Sequence, residues 1–108
     1  SGLIPGGWIL INSEHEPESM TQLLEQGYRV ATVDASGIAI AQRLGTRTNP
    51  IVNTAVLGAF STVTGLVSIE SVTLAIREGV PLKPDSNIDA ALEASKAVRT
   101  AVPEEVKL

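Results

Sequence analysis

The sequence predicts an α/β fold in three layers, αβα, built around a parallel sheet. Two short apolar runs, residues 8–11 and 28–33, have the composition of buried strands, and a pattern typical of a helix follows each of them. The order strand, helix, strand, helix implies right-handed crossovers between parallel strands. Aromatic residues make up only 3% of the chain, so its apolar side chains are mostly small. Such side chains suit helices that pack closely on a sheet.

Residues 8–11 form a continuous apolar run, which is typical of a central strand covered on both faces. Residues 3–7 have the composition of a turn that leads directly into this strand, so we expect the chain to begin within a domain. After the strand, Pro17 suits the first turn of a helix and Gly27 suits its end. Apolar residues at helical spacing lie between these two positions.

The second strand is predicted at residues 28–33, which are rich in β-branched side chains and end at Asp34. A helical pattern follows from residue 37 to residue 44. Ser36 is able to cap this helix, and Gly45 is able to end it. These elements complete the α/β part of the predicted fold.

Residues 51–64 are apolar on nearly all sides, so we predict a helix that is buried over most of its surface. Gly58 in its middle costs about 1 kcal/mol relative to alanine, and close packing against another backbone is the preferred explanation for it. Asn53 and Thr54 lie on the same helix and need hydrogen-bond partners. Backbone carbonyls, a neighbouring subunit and a cofactor are the alternatives.

Two further helices are predicted in the rest of the chain. Ser68 is a good N-cap for the first of them, which covers residues 69–79. A connector that contains prolines follows, and Asn87 is expected to cap a last helix that continues to about residue 100. No internal repeat is present, so residues 1–108 are expected to be a single domain or part of one.

The composition excludes several classes of function. The formal net charge of -4 provides no basic field for a nucleic acid or an anionic membrane. Polar residues interrupt every apolar run before it reaches the roughly 18 residues needed to span a bilayer. The absence of cysteine excludes disulfides and thiolate metal sites in this sequence. We expect a cytoplasmic location.

The sequence contains no clear catalytic constellation. The only histidine, His15, lies among Glu14, Glu16 and Glu18, where a solvated acidic loop is a commoner explanation than a metal site. Neither a GxGxxG motif nor a Walker lysine loop is present. We therefore predict no catalytic residue and no metal site in this chain.

Polar side chains at the carboxyl ends of the two strands are candidates for a binding site. Asn12 and Ser13 follow the first strand, and Asp34 follows the second. Ligands of open α/β sheets bind at this edge. Helix capping and turn hydrogen bonds account for the same residues without a ligand, and they are the preferred interpretation.

Three stretches carry a resemblance to a known family: PGGWILINS at residues 5–13, VATVDASGIA at 30–39 and PIVNTAVLGAF at 50–60. In this order they resemble the gamma subunit of pyruvate:ferredoxin oxidoreductase and its relatives, and the third stretch is the most specific. The match covers about residues 3–80. The family's gamma domain begins with a glycine-rich turn that is absent here. The resemblance therefore implies the C-terminal part of a larger gamma domain with a Rossmann-like sheet.

The resemblance implies a hetero-oligomeric complex that oxidatively decarboxylates a 2-oxoacid such as pyruvate, usually with coenzyme A. The complex uses thiamine diphosphate with magnesium, and iron–sulfur clusters pass the electrons to ferredoxin or flavodoxin. These cofactors belong chiefly to other domains, so we expect no cofactor held by this chain itself. Its implied role is to assemble with the other subunits and to take part in the access of coenzyme A to the complex. Asn53 and Thr54 match the family stretch, and as polar residues of an apolar helix they join Asn12, Ser13 and Asp34 as candidate cofactor contacts, although the motif itself assigns them no ligand role.

Two alternatives remain open at the level of sequence. The chain could be a stand-alone Rossmann-like module that binds a nucleotide or a protein without catalysis, although the missing glycine loop disfavours nucleotide binding. It could also act alone on a small acid through Asp34 and His15.

Overall fold

Four short strands pair into one sheet in the computed structural model, which describes residues 2–4 and 6–104. The strands are β1 (Gly2–Ile4), β2 (Trp8–Asn12), β3 (Arg29–Val33) and β4 (Arg99–Ala101). The helices are α1 (Thr21–Glu25), α2 (Ala35–Ala41), α3 (Asn53–Thr64), α4 (Ile69–Gly79) and α5 (Pro84–Ala97), and a 3₁₀ turn at Pro17–Ser19 precedes α1. The predicted α/β class is confirmed.

The sheet has the order β1-β2-β3-β4 and is mixed. Its central strands, β2 and β3, are parallel, with Leu10 opposite Ala31, whereas β1 and β4 are antiparallel to their neighbours. The predicted parallel sheet is therefore right for the central pair and wrong at both edges. At the first edge, Gly6 and Gly7 have positive φ angles of 87° and 75°, which let the chain reverse between β1 and β2.

The turn expected at residues 3–7 is shorter than predicted. Leu3 belongs to β1 and pairs with Ile9, so only Gly6 and Gly7 form the described part of the turn. Pro5 lies outside the described residues.

Helices cover the sheet on two sides, which confirms the predicted three layers. Ala31 and Val33 face a core that includes residues of α2, α3 and α5. Val30 and Thr32 alternate with them along β3 and are fully buried on the other face. There the 3₁₀ turn and α1 contact β3.

The predicted helices are present with shifted boundaries. The helix expected between Pro17 and Gly27 is divided into the 3₁₀ turn and α1, and the two parts meet at Met20. Helix α2 begins two residues before the prediction because Asp34, rather than Ser36, accepts the capping hydrogen bond. Helix α4 begins after Ser68 as predicted, with the Ser68 side chain accepting from the Ser71 amide.

The last helix begins earlier than predicted, and Asn87 does not cap it. Pro84 takes the first helical position, where its fixed φ suits the helix and its missing N–H has no consequence. Asn87 therefore lies inside α5 and is buried. The helix ends at Ala97, after which Val98 is extended and the chain continues into β4.

Helix α3 is buried or half-buried over most of its surface, as predicted, and Val56, Phe60 and Val63 pack against the core at its margins. Its buried residues are Thr54, Ala55, Gly58, Ala59 and Ser61, which pack toward the sheet and α5. Asn53, Leu57 and Thr62 are exposed. Among the described residues, every helix is too short or too polar to cross a lipid bilayer.

Candidate functional site

The carboxyl ends of β2 and β3 lie side by side because these strands are parallel, and Asn12 is opposite Val33. Asn12 Nδ2 donates a 2.8 Å hydrogen bond to Ser36 Oγ, and the Ser36 amide donates a 3.2 Å bond to Asn12 Oδ1. This reciprocal pair connects the end of β2 to the first turn of α2. Asn12 itself is exposed.

Asp34 caps helix α2. Its Oδ1 atom accepts a 2.9 Å hydrogen bond from the Gly37 amide, which satisfies a backbone donor that has no partner within the helix. A Cβ at Gly37 would lie 2.8 Å from the carboxyl carbon of Asp34, so a glycine gives the cap the space it needs. The capping role predicted for Asp34 is confirmed.

Ser13 has the turn role that the sequence suggested. Its hydroxyl accepts a 3.0 Å hydrogen bond from the His15 amide, and its own amide donates to the Val33 carbonyl at 3.0 Å. Asn12, Ser13 and Asp34 thus meet at one edge of the sheet, where each has a structural hydrogen bond. Their predicted role as ligand contacts stays a prediction.

Thr54 lies in a different part of the molecule, in the contact between α3 and α5. Its hydroxyl donates a 2.8 Å hydrogen bond to Asn87 Oδ1, and this pair is buried. Asn87 Nδ2 donates to the carbonyl oxygens of Lys83 at 2.9 Å and Leu82 at 3.3 Å. The network therefore joins α3 to the start of α5, and the partner that Thr54 needs is an asparagine of the same chain.

Asn53 is exposed in the first turn of α3, so the expectation that it is a buried polar group is wrong. Asn87 and Ser36 are the partners that sequence reasoning did not identify. The available signal for Asn87 was Pro84, because a proline at the first helical position places Asn87 one turn inside the helix.

Gly58 faces the backbone of α5. A Cβ at this position would meet the Ala91 carbonyl oxygen and would lie 2.7 Å from its carbonyl carbon and 2.8 Å from its Cα. The predicted explanation, close packing of a second backbone, is confirmed.

The acidic loop around His15 is held by an arginine. Arg99 Nη2 donates to the Glu14 carbonyl at 3.2 Å, and Arg99 Nη1 lies 4.0 Å from Glu16 Oε1. Within residues 2–4 and 6–104, no group of three His, Asp or Glu side chains is placed to hold a metal ion. Iron–sulfur clusters are held by cysteine thiolates, and the sequence has none, so these residues do not fit such a cluster.

Comparison with known proteins gives a consistent result. The family model described as "Pyruvate ferredoxin/flavodoxin oxidoreductase" matches residues 1–99. Pyruvate synthase subunit PorC of Methanothermobacter marburgensis is 44% identical over 92 residues, which cover 84% of this chain and 46% of that protein. The gamma subunit common to the pyruvate and ketoisovalerate oxidoreductases of Thermococcus kodakarensis is 44% identical over 79 residues, which cover 72% of this chain and 40% of that protein.

A solved structure also matches the fold. The crystal structure of the pyruvate oxidoreductase subunit PORC from Thermotoga maritima superposes with a TM-score of 0.72 at 25% identity, covering 87% of this chain and 52% of that one. The chain spans about half the length of the curated relatives it matches.

Proposed function

This chain belongs to the pyruvate ferredoxin/flavodoxin oxidoreductase family, and from that premise we propose that it forms part of the gamma subunit of a 2-oxoacid:ferredoxin oxidoreductase complex. The observation that carries this proposal is the identity to gamma subunits over most of the chain. The proposed complex is cytoplasmic and oxidatively decarboxylates a 2-oxoacid such as pyruvate with coenzyme A. Ferredoxin or flavodoxin receives the electrons.

Within that complex, the proposed role of this chain is assembly with the subunits that hold thiamine diphosphate, magnesium and the iron–sulfur clusters. Exposed apolar side chains support this role, since Leu66 and Leu74 are 63% and 56% exposed. The lack of cysteine also assigns cluster ligation to other parts of the complex.

The carboxyl edge of the sheet is the proposed contact of this chain with a cofactor, coenzyme A being the candidate. Asn12 and Asp34 are exposed there, and Ser13 lies beside them. Asn12 makes two structural hydrogen bonds through its side chain, and Ser13 and Asp34 make one each, which leaves part of each polar group for a ligand. Thr54 is less suited because its hydroxyl is buried and already donates to Asn87.

The test is a tagged isolation of this chain from native lysate, with mass spectrometry of its partners and an absorption spectrum of the eluate. We expect large subunits with iron–sulfur absorbance, bound thiamine diphosphate and pyruvate-dependent reduction of ferredoxin. A colourless, monodisperse protein without partners would contradict the proposal. Nucleotide binding measured by calorimetry on that protein would then identify a stand-alone binding module.

A further inference from the structure

Two connecting segments meet beyond the C-terminal end of α2: residues 43–51 and residues 80–83. They are joined by a 2.7 Å hydrogen bond that Lys83 Nζ donates to the Arg43 carbonyl oxygen. In the described part of the chain, Arg43 and Lys83 are also the two non-glycine residues with positive φ, 58° and 51°. Backbone conformations of this kind cost free energy and cluster at binding sites.

An apolar cavity lies between these segments. Its volume is about 360 Å³, and Leu44, Ile51 and Leu82 form its apolar wall. Lys83 and Asn87 also line it. Ile51 and Leu82 are 53% and 78% exposed, so the wall is accessible from solvent and offers apolar area to a ligand.

A second cavity of about 250 Å³ adjoins the first, because Gly45 and Thr46 line both. Arg43 and Arg47 line this second cavity. Among the described residues that line the two cavities there is no aspartate or glutamate, although the chain as a whole carries a net charge of -4. The two cavities together form an apolar compartment beside a cationic one, which we call the amphiphilic groove.

We propose that the amphiphilic groove binds a small amphiphilic anion. The apolar body of the ligand lies against Leu44, Ile51 and Leu82, where removal of apolar surface from water favours binding. Its carboxylate or phosphate headgroup lies near Arg43 and Arg47, since guanidinium groups suit both anions.

The test is an ¹⁵N NMR titration of the full 108-residue chain with hexyl phosphate. Hexanoate replaces the headgroup by a carboxylate, and hexanol and inorganic phosphate each supply one half of the ligand. We expect the Gly45 and Thr46 amide signals to shift. The dissociation constant of hexyl phosphate should be at least about tenfold lower than that of inorganic phosphate, since two buried CH₂ groups suffice for a tenfold change. It should be about threefold or more below that of hexanol, since an exposed ion pair contributes that much.

Variants separate the two compartments. Arg47→Gln should weaken hexyl phosphate binding about threefold, as expected for an exposed ion pair, and should leave hexanol binding unchanged. Leu82→Ser should weaken the binding of hexanol and of hexyl phosphate and should leave the binding of inorganic phosphate unchanged. Arg99→Gln is the matched control because Arg99 lies on β4 beside Glu14, outside the groove, and it should change nothing.

Three results would overturn the proposal. They are unshifted Gly45 and Thr46 amides, equal affinities for hexanol and hexyl phosphate, and equal effects of Arg47→Gln and Arg99→Gln. Comparison of hexanoate with hexyl phosphate identifies the preferred headgroup. Tighter binding of hexyl phosphate would indicate a phosphate, and tighter binding of hexanoate would indicate a carboxylate. Matching thermal unfolding midpoints of the variants would establish that each is folded.

Discussion

Two side-chain hydrogen bonds of the same length differ in their surroundings. Thr54 and Asn87 make a 2.8 Å bond that is buried between α3 and α5. Asn12 and Ser36 make a 2.8 Å bond at the exposed carboxyl edge of the sheet. Breaking a buried bond leaves a polar atom without water, whereas an exposed atom is rehydrated. The comparison teaches that burial, and not bond length, decides how strongly each position constrains its residue.

The difference also determines where a functional effect can be recognised. At the α3–α5 contact, packing and burial account for the identity of each residue. A substitution there that lowers activity would therefore do so by lowering stability. At the carboxyl edge, the side-chain hydrogen bonds contribute little to the free energy of unfolding. A large loss of activity at that edge would therefore require a contact with a ligand or a partner.

The largest effect is expected for Gly58→Val in the α3–α5 contact. The new side chain would collide with the Ala91 backbone, which cannot move away as a flexible side chain can. Overpacking of this kind should lower the free energy of unfolding by roughly 3 kcal/mol. Urea unfolding of the purified chain measures the change.

Gly79→Ala is the control for Gly58→Val, since Gly79 also lies in a helix but a Cβ there would meet no atom of the described residues within 4 Å. Its free energy of unfolding should stay unchanged or rise by up to about 1 kcal/mol. Both substitutions raise helix propensity, so equal destabilisation by both would show that the collision with Ala91 does not set the cost. The close contact of Gly58 with Ala91 would then not distinguish it from Gly79, which has no such contact.

The next effect tests the buried hydrogen bond. Thr54→Val keeps the shape of the side chain but leaves Asn87 Oδ1 without its donor, which should cost about 1 to 3 kcal/mol. Thr32→Val is its counterpart, because Thr32 Oγ1 is buried and has no hydrogen-bond partner among the described residues. For Thr32→Val we expect the free energy of unfolding to rise by up to about 1 kcal/mol, since a desolvated hydroxyl is removed.

If Thr54→Val and Thr32→Val changed the free energy of unfolding in the same direction, the hydrogen bond to Asn87 would not explain the cost at Thr54. Both substitutions convert a buried threonine to valine, so their difference isolates the hydrogen bond from the change in side-chain chemistry. Chemical denaturation at one pH and salt concentration provides the comparison.

Much of the fold follows from local sequence signals. The apolar run of β2 and the β-branched run of β3 predict the central parallel pair, and Ser68 predicts the start of α4. The antiparallel edges were not predictable in the same way. Arg99–Ala101 has only three residues, and its pairing with β3 depends on where α5 returns the chain.

The candidate site was predicted in part. Asn12, Ser13 and Asp34 do meet at the carboxyl edge, because parallel strands bring their ends together. The Thr54–Asn87 pair was not predicted, since its members are 33 residues apart in sequence and meet only through helix packing. Long-range contacts of this kind leave no local pattern.

A smaller effect is expected at the carboxyl edge, for Asp34→Ala. Loss of the N-cap on α2 should lower the free energy of unfolding by about 1 kcal/mol. Ser68→Ala, which removes the N-cap of α4, is the matched control and should cost a similar amount. Activity assays of the isolated complex with each variant then separate two roles. A selective loss with Asp34→Ala supports the ligand contact, and equal activities restrict Asp34 to capping.

The smallest effect is expected for Asn12→Ala, the exposed member of the opening comparison. Its hydrogen bonds to Ser36 compete with water, so the loss should be about 0.5 to 1 kcal/mol, less than for Thr54→Val. A double-mutant cycle with Ser36→Ala measures the coupling between the two side chains, which we expect to be about 0.5 kcal/mol. A coupling as large as the cost of Thr54→Val would mean that the edge is as constrained as the buried contact. In that case burial would not be the property that separates the two regions, and activity losses at the edge would no longer identify a ligand contact.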